Sequence, residues 1–250
     1  MLNLRKHNLL RKSNLLGKLI RLPLLLIPDT KVVSIFCGPL KGKKWIVGSH
    51  NHSAWLGTYE RNQTLIFSKK SKNKQVLWDL GAHAGYYTLL FKTINKNSSV
   101  FAFEPIENNF GYFQKHLQLN NLSNITLFKN AVSNEEGIFK FARGNSVGGK
   151  LSETGDMTVP VVKLSKLLED NELEFPDVIK MDIEGAEYKV LQDLEPYLAS
   201  YKKPLIFLST HGKEVQEQCL NLMESLNYTI ISLDVKNTQN TKEFLLEPRA

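Results

Sequence analysis

Val76-Leu77-Trp78-Asp79-Leu80-Gly81-Ala82-His83-Ala84-Gly85-Tyr86 is the stretch that decides the fold. Val76 to Asp79 is a short apolar run that ends on an acid and runs straight into glycines. Continuous apolar runs, unlike alternating ones, mark strands buried on both faces. Helical character follows over Tyr86 to Ile94, and the unit then recurs. Val100 to Glu104 is a second apolar run ending on an acid, before a helix over Glu107 to Asn120 with Phe110, Phe113 and Leu117 on one face. Ile125 to Phe128 is a third run. Val178 to Asp182 is a fourth, before a helix from Ala186 to Leu198. Leu205 to Leu208 is a fifth, before a helix from Glu214 to Leu226. Thr229 to Leu233 and Phe244 to Leu246 close the chain as a strand pair joined by the polar stretch Asp234 to Lys242. Strands alternating with helices predict an α/β fold: a doubly wound, mostly parallel seven-stranded sheet with an antiparallel C-terminal edge.

Outward from this core the chain changes character. Residues 31–74 read as a β-rich N-terminal extension, with runs at Lys31 to Phe36, Trp45 to Gly48 and Leu65 to Ser68. Residues 1–30 read as a basic amphipathic arm, in which Arg5, Lys6, Arg11, Lys12, Lys18 and Arg21 alternate with leucines. The division is therefore an arm over 1–30, an extension over 31–74 and a main domain over 75–250. Between the third and fourth runs lies a segment that reads as an irregular insertion. Its Gly144, Gly148, Gly149 and Gly155 suit either a lid or a plain surface loop.

The chain has 250 residues, 42% of them apolar and 23% charged, which suits a globular fold. Two cysteines, Cys37 and Cys219, exclude a disulfide framework and a cysteine-rich zinc module and point to the cytoplasm. The net charge of +7 is lopsided: residues 1–75 carry 15 Lys and Arg against Asp29 and Glu60, a net of +13, and the remainder carries −6. Such an arm suits either solvent or an anionic surface, so peripheral contact with anionic membrane is one expectation for residues 1–28. Its apolar stretch, Leu22 to Ile27 with Pro23 inside it, is far shorter than the ~20 residues that span a bilayer. No small-residue cleavage site follows it.

Ligands of parallel α/β sheets bind at the carboxyl ends of the strands. After the first run, Gly81 and Gly85 let the backbone approach a ligand, and the next helix presents its N-terminus to it. The dinucleotide spacing G-x-G-x-x-G is absent, because Gly81 and Gly85 stand four apart with His83 between them. The phosphate-cradling G-x-x-x-x-G-K-[ST] pattern is absent too. Glu104 closes the second run, placed to accept hydrogen bonds from both hydroxyls of a ribose. An acid before the glycines, Asp79, suits a cationic amino-acid moiety better than a pyrophosphate. The pair thus fits S-adenosylmethionine better than NAD.

On these residues the chain resembles the FkbM family of class I, Rossmann-like, S-adenosylmethionine-dependent methyltransferases. The matching stretches are Asp79-Leu80-Gly81-Ala82-His83-Ala84-Gly85-Tyr86-Tyr87-Thr88, Phe101 to Pro105, Asn130 to Ser133, and Ile179-Lys180-Met181-Asp182-Ile183-Glu184-Gly185-Ala186-Glu187. The resemblance covers residues 76 to 225. It implies that Asp79, Gly81 and Gly85 line the methionine end of the cofactor, that Glu104 holds the ribose, and that Asn130 and Ala131 lie near adenine. It also marks two departures: His83 where the family usually has Asn, and Ser165 where it often has Asp.

The acceptor side falls to the ends of the fourth and fifth runs. Asp182, Glu184 and His211 are the candidate catalytic residues there, with Asp182 or His211 as general base. Some other class I O-methyltransferases hold a divalent metal at these strand ends; that reading is not the favoured one, and no metal ligands are assigned. Glu187 reads as a helix N-terminal acid. His50, His52 and Trp55 read either as an acceptor-binding segment or as satisfied structural residues. The expected activity is O-methylation of a hydroxyl on a small molecule or glycan. A nucleic-acid methyltransferase is the runner-up, weakened by the lack of a (D/N/S)-P-P-(Y/F) segment after the fourth run. A cofactor-binding protein without catalysis is the third reading.

Overall fold

The apolar runs lie side by side in one sheet whose central strands are buried on both faces and must be covered from both. A computed structural model describes residues 26–143, 149–151, 157–234 and 241–249. Its central sheet consists of β1 (Val76–Leu80), β2 (Ser99–Phe103), β3 (Ile125–Phe128), β4 (Val178–Met181), β5 (Leu205–His211), β6 (Tyr228–Ser232) and β7 (Thr241–Pro248). The spatial order is β6-β7-β5-β4-β1-β2-β3. Strands β3, β2, β1, β4 and β5 pair in parallel, while β7 runs antiparallel to both β5 and β6. The C-terminal strand pair thus forms the antiparallel edge, with β7 inserted between β5 and β6.

Alternate residues of each strand supply two separate cores. Leu77, Val178 and Phe207 face one side, covered by α1 (Tyr86–Ile94) and α2 (Glu107–Leu119). Trp78, Leu80, Ile179, Met181, Ile206 and Leu208 face the other, covered by α3 (Glu187–Ser200) and α4 (Lys213–Ser225). The topological switch lies between β1 and β4, whose neighbours are β2 on one side and β5 on the other. A ligand crevice is expected at the carboxyl ends there.

Residues 31–74 join the first core. Val32–Ser34 pairs antiparallel with Lys44–Ile46, and helices follow at His52–Leu56 and Arg61–Lys70. The Leu65 to Ser68 run, expected as a strand, is therefore helical. Its buried face carries Gln63 and Thr64 beside Phe67, so polar residues hide the helical period. Phe67 is fully buried against Tyr87, Phe91 and Phe207.

The insertion is also more regular than its sequence suggests. Gly137–Arg143 pairs antiparallel with Met157–Val162 and with Gly149–Leu151, and Ala131–Val132 pairs in parallel with Val161 and Val162. Gly144, Gly148 and Gly155 lie outside the described residues, as does the arm from residue 1 to residue 25. Among the described residues no helix is long and apolar enough to cross a membrane.

Candidate active site

The chain leaves β1 through a turn that only glycine fits. At Gly81, φ is +78° and an added Cβ would lie 1.9 Å from the Asp182 carbonyl oxygen. At Gly85, φ is +84° and a Cβ would lie 2.3 Å from the Phe113 ring. Any side chain at either position would push β4 or α2 away from β1.

Between the two glycines, His83 adopts a left-handed conformation and its backbone N–H donates to Glu104 Oε2 at 2.8 Å. Glu104 Oε1 accepts from the Ile106 N–H at 2.9 Å and from Asn109 Nδ2 at 3.3 Å. Burial pushes the Glu104 carboxyl up to about 7, against the opposing pull of these donors. Asp79 is also buried. Its Oδ2 accepts from Thr88 N at 3.0 Å and from Thr88 Oγ1 at 2.6 Å, so it satisfies the first turn of α1 as well as facing the crevice. Burial raises its carboxyl to about 6, partly offset by the Thr88 hydroxyl and by Lys180.

These groups open onto one cleft of about 1080 Å³, its mouth included. Asp79, Gly81, His83, Glu104, Asn130, Ala131, Asp182 and Glu184 all line it. Gly85 and His211 do not. His211 stands behind the wall, with Nε2 at 3.5 Å from Asp182 Oδ1 and 3.4 Å from Glu184 Oε2. Its Nδ1 lies 2.8 Å from Glu187 Oε1, a carboxylate with no solvent exposure. Burial alone would lower this imidazole, but the Glu187 hydrogen bond and the charges of Asp182, Glu187 and Glu184 push it up to about 9. His50 and Tyr59 of the extension close the far side of the cleft, their rings 4.6 Å apart. His52 and Trp55 do not line it; Trp55 Nε1 donates to His52 Nδ1 at 3.1 Å.

Reading the sequence for strand ends missed Lys180. It projects from the middle of β4 into the cleft wall, fully buried. Its Nζ donates to Ser209 Oγ at 2.8 Å and sits 3.6 Å from Asp182 Oδ2. Burial would lower this ammonium, but Asp182, Glu243, Glu60 and Asp79 hold it well above its ordinary range. Ser209 Oγ in turn donates to Glu243 Oε2 at 2.8 Å, and Gln63 Nε2 donates to the same oxygen at 2.6 Å. The Tyr87 hydroxyl lies 2.6 Å from Glu60 Oε2 and 2.8 Å from Gln63 Oε1. The available signal was a lysine inside the doubly buried run Val178-Ile179-Lys180-Met181, because lysine is almost never buried unless paired. Ser165, the other family departure, bonds Asp193 through both its N–H and its hydroxyl.

A family model described as methyltransferase FkbM domain matches residues 79–230. A hexuronic acid methyltransferase, AglP, from Haloferax volcanii is 27% identical over 144 residues, covering 56% of this chain and 59% of that protein. Methyltransferase 1 from Beauveria bassiana is 28% identical over 142 residues, covering 47% of this chain and 57% of that one. The chain therefore spans about three-fifths of the length of these relatives. Among solved structures, precorrin-6y C5,15-methyltransferase from Geobacter metallireducens superposes with a TM-score of 0.52 at 14% identity, covering 76% of this chain and 89% of that one. That likeness concerns the fold.

Proposed function

The chain belongs to the FkbM methyltransferase family, and we propose that it moves the methyl group of S-adenosylmethionine to a hydroxyl on a small molecule or glycan. The observation that carries this reading is the convergence of Glu104 with Asp182 and Glu184 on one cleft at the switch point. Glu104 is a buried acceptor held by two backbone N–H groups, in the position for a ribose diol. Asp79, a second buried acid, faces the same space and suits the cationic amino-acid end. The residues present therefore fit this cofactor, which when bound supplies an electrophilic methyl on a sulfonium.

The chain's own groups do the rest. Gly81 and Gly85 allow close backbone approach, and Asn130 and Ala131 line the part of the cleft assigned to adenine. Asp182 and Glu184 line the acceptor end of the cleft, where Asp182 takes the hydroxyl proton as the oxygen forms its new bond to carbon, and His211 supports both carboxylates from behind the wall. His50 and Tyr59, packed edge to face, supply an aromatic wall for the acceptor. A sugar-bearing acceptor is supported by the name of the Haloferax relative. Cell extracts incubated with isotopically labelled S-adenosylmethionine, with and without the protein, test the whole reading by mass spectrometry. A labelled hydroxyl ether that appears only with the protein is expected. Label on nitrogen or on nucleic acid, or no labelled product, would overturn it.

A further inference from the structure

Beyond the organic cofactor, we propose that Asp182, Glu184 and His211 form a divalent-cation site of the manganese type at the acceptor end of the cleft. Only the role of the ion rests on the function proposed above; the site itself rests on geometry. One donor atom from each of the three residues lies within 4.8 Å of the other two. His211 Nε2 is 3.5 Å from Asp182 Oδ1 and 3.4 Å from Glu184 Oε2. Adjacent donors around an octahedral ion with bonds of about 2.1 Å stand about 3.0 Å apart, so the two His211 separations need contract by only about half an ångström.

The surroundings hold the donors for this purpose. His211 Nδ1 faces Glu187 Oε1 at 2.8 Å. A carboxylate there fixes the ring's orientation, the usual support of a metal-bound imidazole, and a bound ion would displace the proton that Nε2 carries towards the carboxylates in the free protein. Glu187 has no solvent exposure, and its Oε2 has no hydrogen-bond partner among the described residues. Its Oε1 also accepts from the Gly185 N–H at 3.0 Å, and a buried carboxylate with one oxygen unpartnered is costly unless it serves the imidazole beside it. Lys180 Nζ lies at Asp182 Oδ2, which leaves Oδ1 turned to His211. Two half-open carboxylates and one nearly buried imidazole leave coordination positions facing the cleft. The nitrogen and oxygen donor set with no thiolate suits Mn²⁺ and similar ions over Cu⁺ or an iron–sulfur centre. An acceptor hydroxyl on such an ion would lose its proton more readily.

The experiment is Mn²⁺ titration of the metal-stripped full chain, read by electron paramagnetic resonance of the free ion. One Mn²⁺ per chain is expected. His211→Ala and Glu184→Gln should weaken it at least tenfold, and Glu187→Gln, which keeps all three donors, by about 10–100-fold. S-adenosylmethionine binding by the same variants reports that the fold survives. No saturable Mn²⁺ binding by the full chain, or binding of equal strength in His211→Ala and Glu184→Gln, would overturn the proposal. If the ion binds but no hydroxyl is methylated, the proposed function fails while the site stands.

Discussion

Glu104 carries its charge in water but is asked to carry it buried, and this links cofactor affinity to pH. Burial holds its carboxyl near 7 in the free protein. A ribose diol donates two hydrogen bonds and a neighbouring sulfonium adds positive charge, so binding favours the ionised form. The sign follows: affinity is full above pH 7 and falls as the pH drops through it, about tenfold per unit. Between pH 8 and pH 5 the loss of the Glu104 charge alone should therefore lower the affinity for S-adenosylmethionine about a hundredfold, equivalent to about 2.7 kcal/mol, with any Asp79 contribution adding to it below pH 6. Glu104→Gln keeps one acceptor oxygen, for either the His83 or the Ile106 N–H, sets an amide NH2 against the other donor, and cannot ionise. At pH 8 it should bind more weakly by about 1.5–3 kcal/mol, the worth of hydrogen bonds to a charged group. Its pH dependence should shrink to a weaker slope below pH 6, where Asp79 takes up its proton. Isothermal titration calorimetry from pH 5 to 8 measures both. A flat wild-type profile, or the same slope in Glu104→Gln, would refute the reasoning.

Three further outcomes follow from the same geometry. Asp182→Asn should lower turnover at least a hundredfold, the lower range for losing proton-transfer help, with cofactor affinity nearly unchanged; steady-state kinetics beside calorimetry separate the two. Phe67→Ala should cost about 3–5 kcal/mol in urea unfolding, because the ring is enclosed by Tyr87, Phe91 and Phe207; a loss below about 1 kcal/mol would detach the extension from the cooperative core. Deleting residues 1–28 should leave cofactor binding intact and abolish salt-sensitive binding to anionic liposomes; full-length protein that ignores such liposomes at low salt removes the membrane contact.

The sheet was readable because β1, β4 and β5, buried on both faces, leave continuous apolar runs, and because a crevice at the strands' carboxyl ends names its own residues. Asp79, Glu104, Asp182 and Glu184, named from their position at the strand ends, line the cleft. His211 was found at the end of β5, but its place behind the cleft wall depends on Glu187, which as a helix-start acid gives no sign of turning inward. The helix Arg61–Lys70 was hidden by Gln63 and Thr64 on its buried side. Gln63 is inside because it meets Tyr87 and Glu243, partners that no local window contains, while the Thr64 hydroxyl donates to the Tyr59 carbonyl. The sheet of the insertion was missed for a related reason. Its pairing joins segments some twenty residues apart, and Ile138 of Gly137–Arg143 is 78% exposed, so apolar pattern is a poor guide there.

The chain of buried polar groups from Lys180 through Ser209, Glu243 and Gln63 to Tyr87 and Glu60 bears on how this protein can be divided and inherited. Glu60, Gln63 and Glu243 fall outside residues 79–230, the stretch shared with the family, yet they complete the hydrogen bonding of groups inside it. A chimera that grafted the shared stretch onto foreign flanks would bury Lys180 with Asp182 and Asp79 but without Glu243 or Glu60. It would leave Ser209 and Tyr87 facing whatever the new flanks supplied. The shared stretch is thus not a portable cassette, and exchange between relatives should succeed only when positions 60, 63 and 243 travel with it. Along a lineage, positions 60, 63, 87, 180, 209 and 243 should change in concert, since replacing any one strands a polar neighbour in the interior.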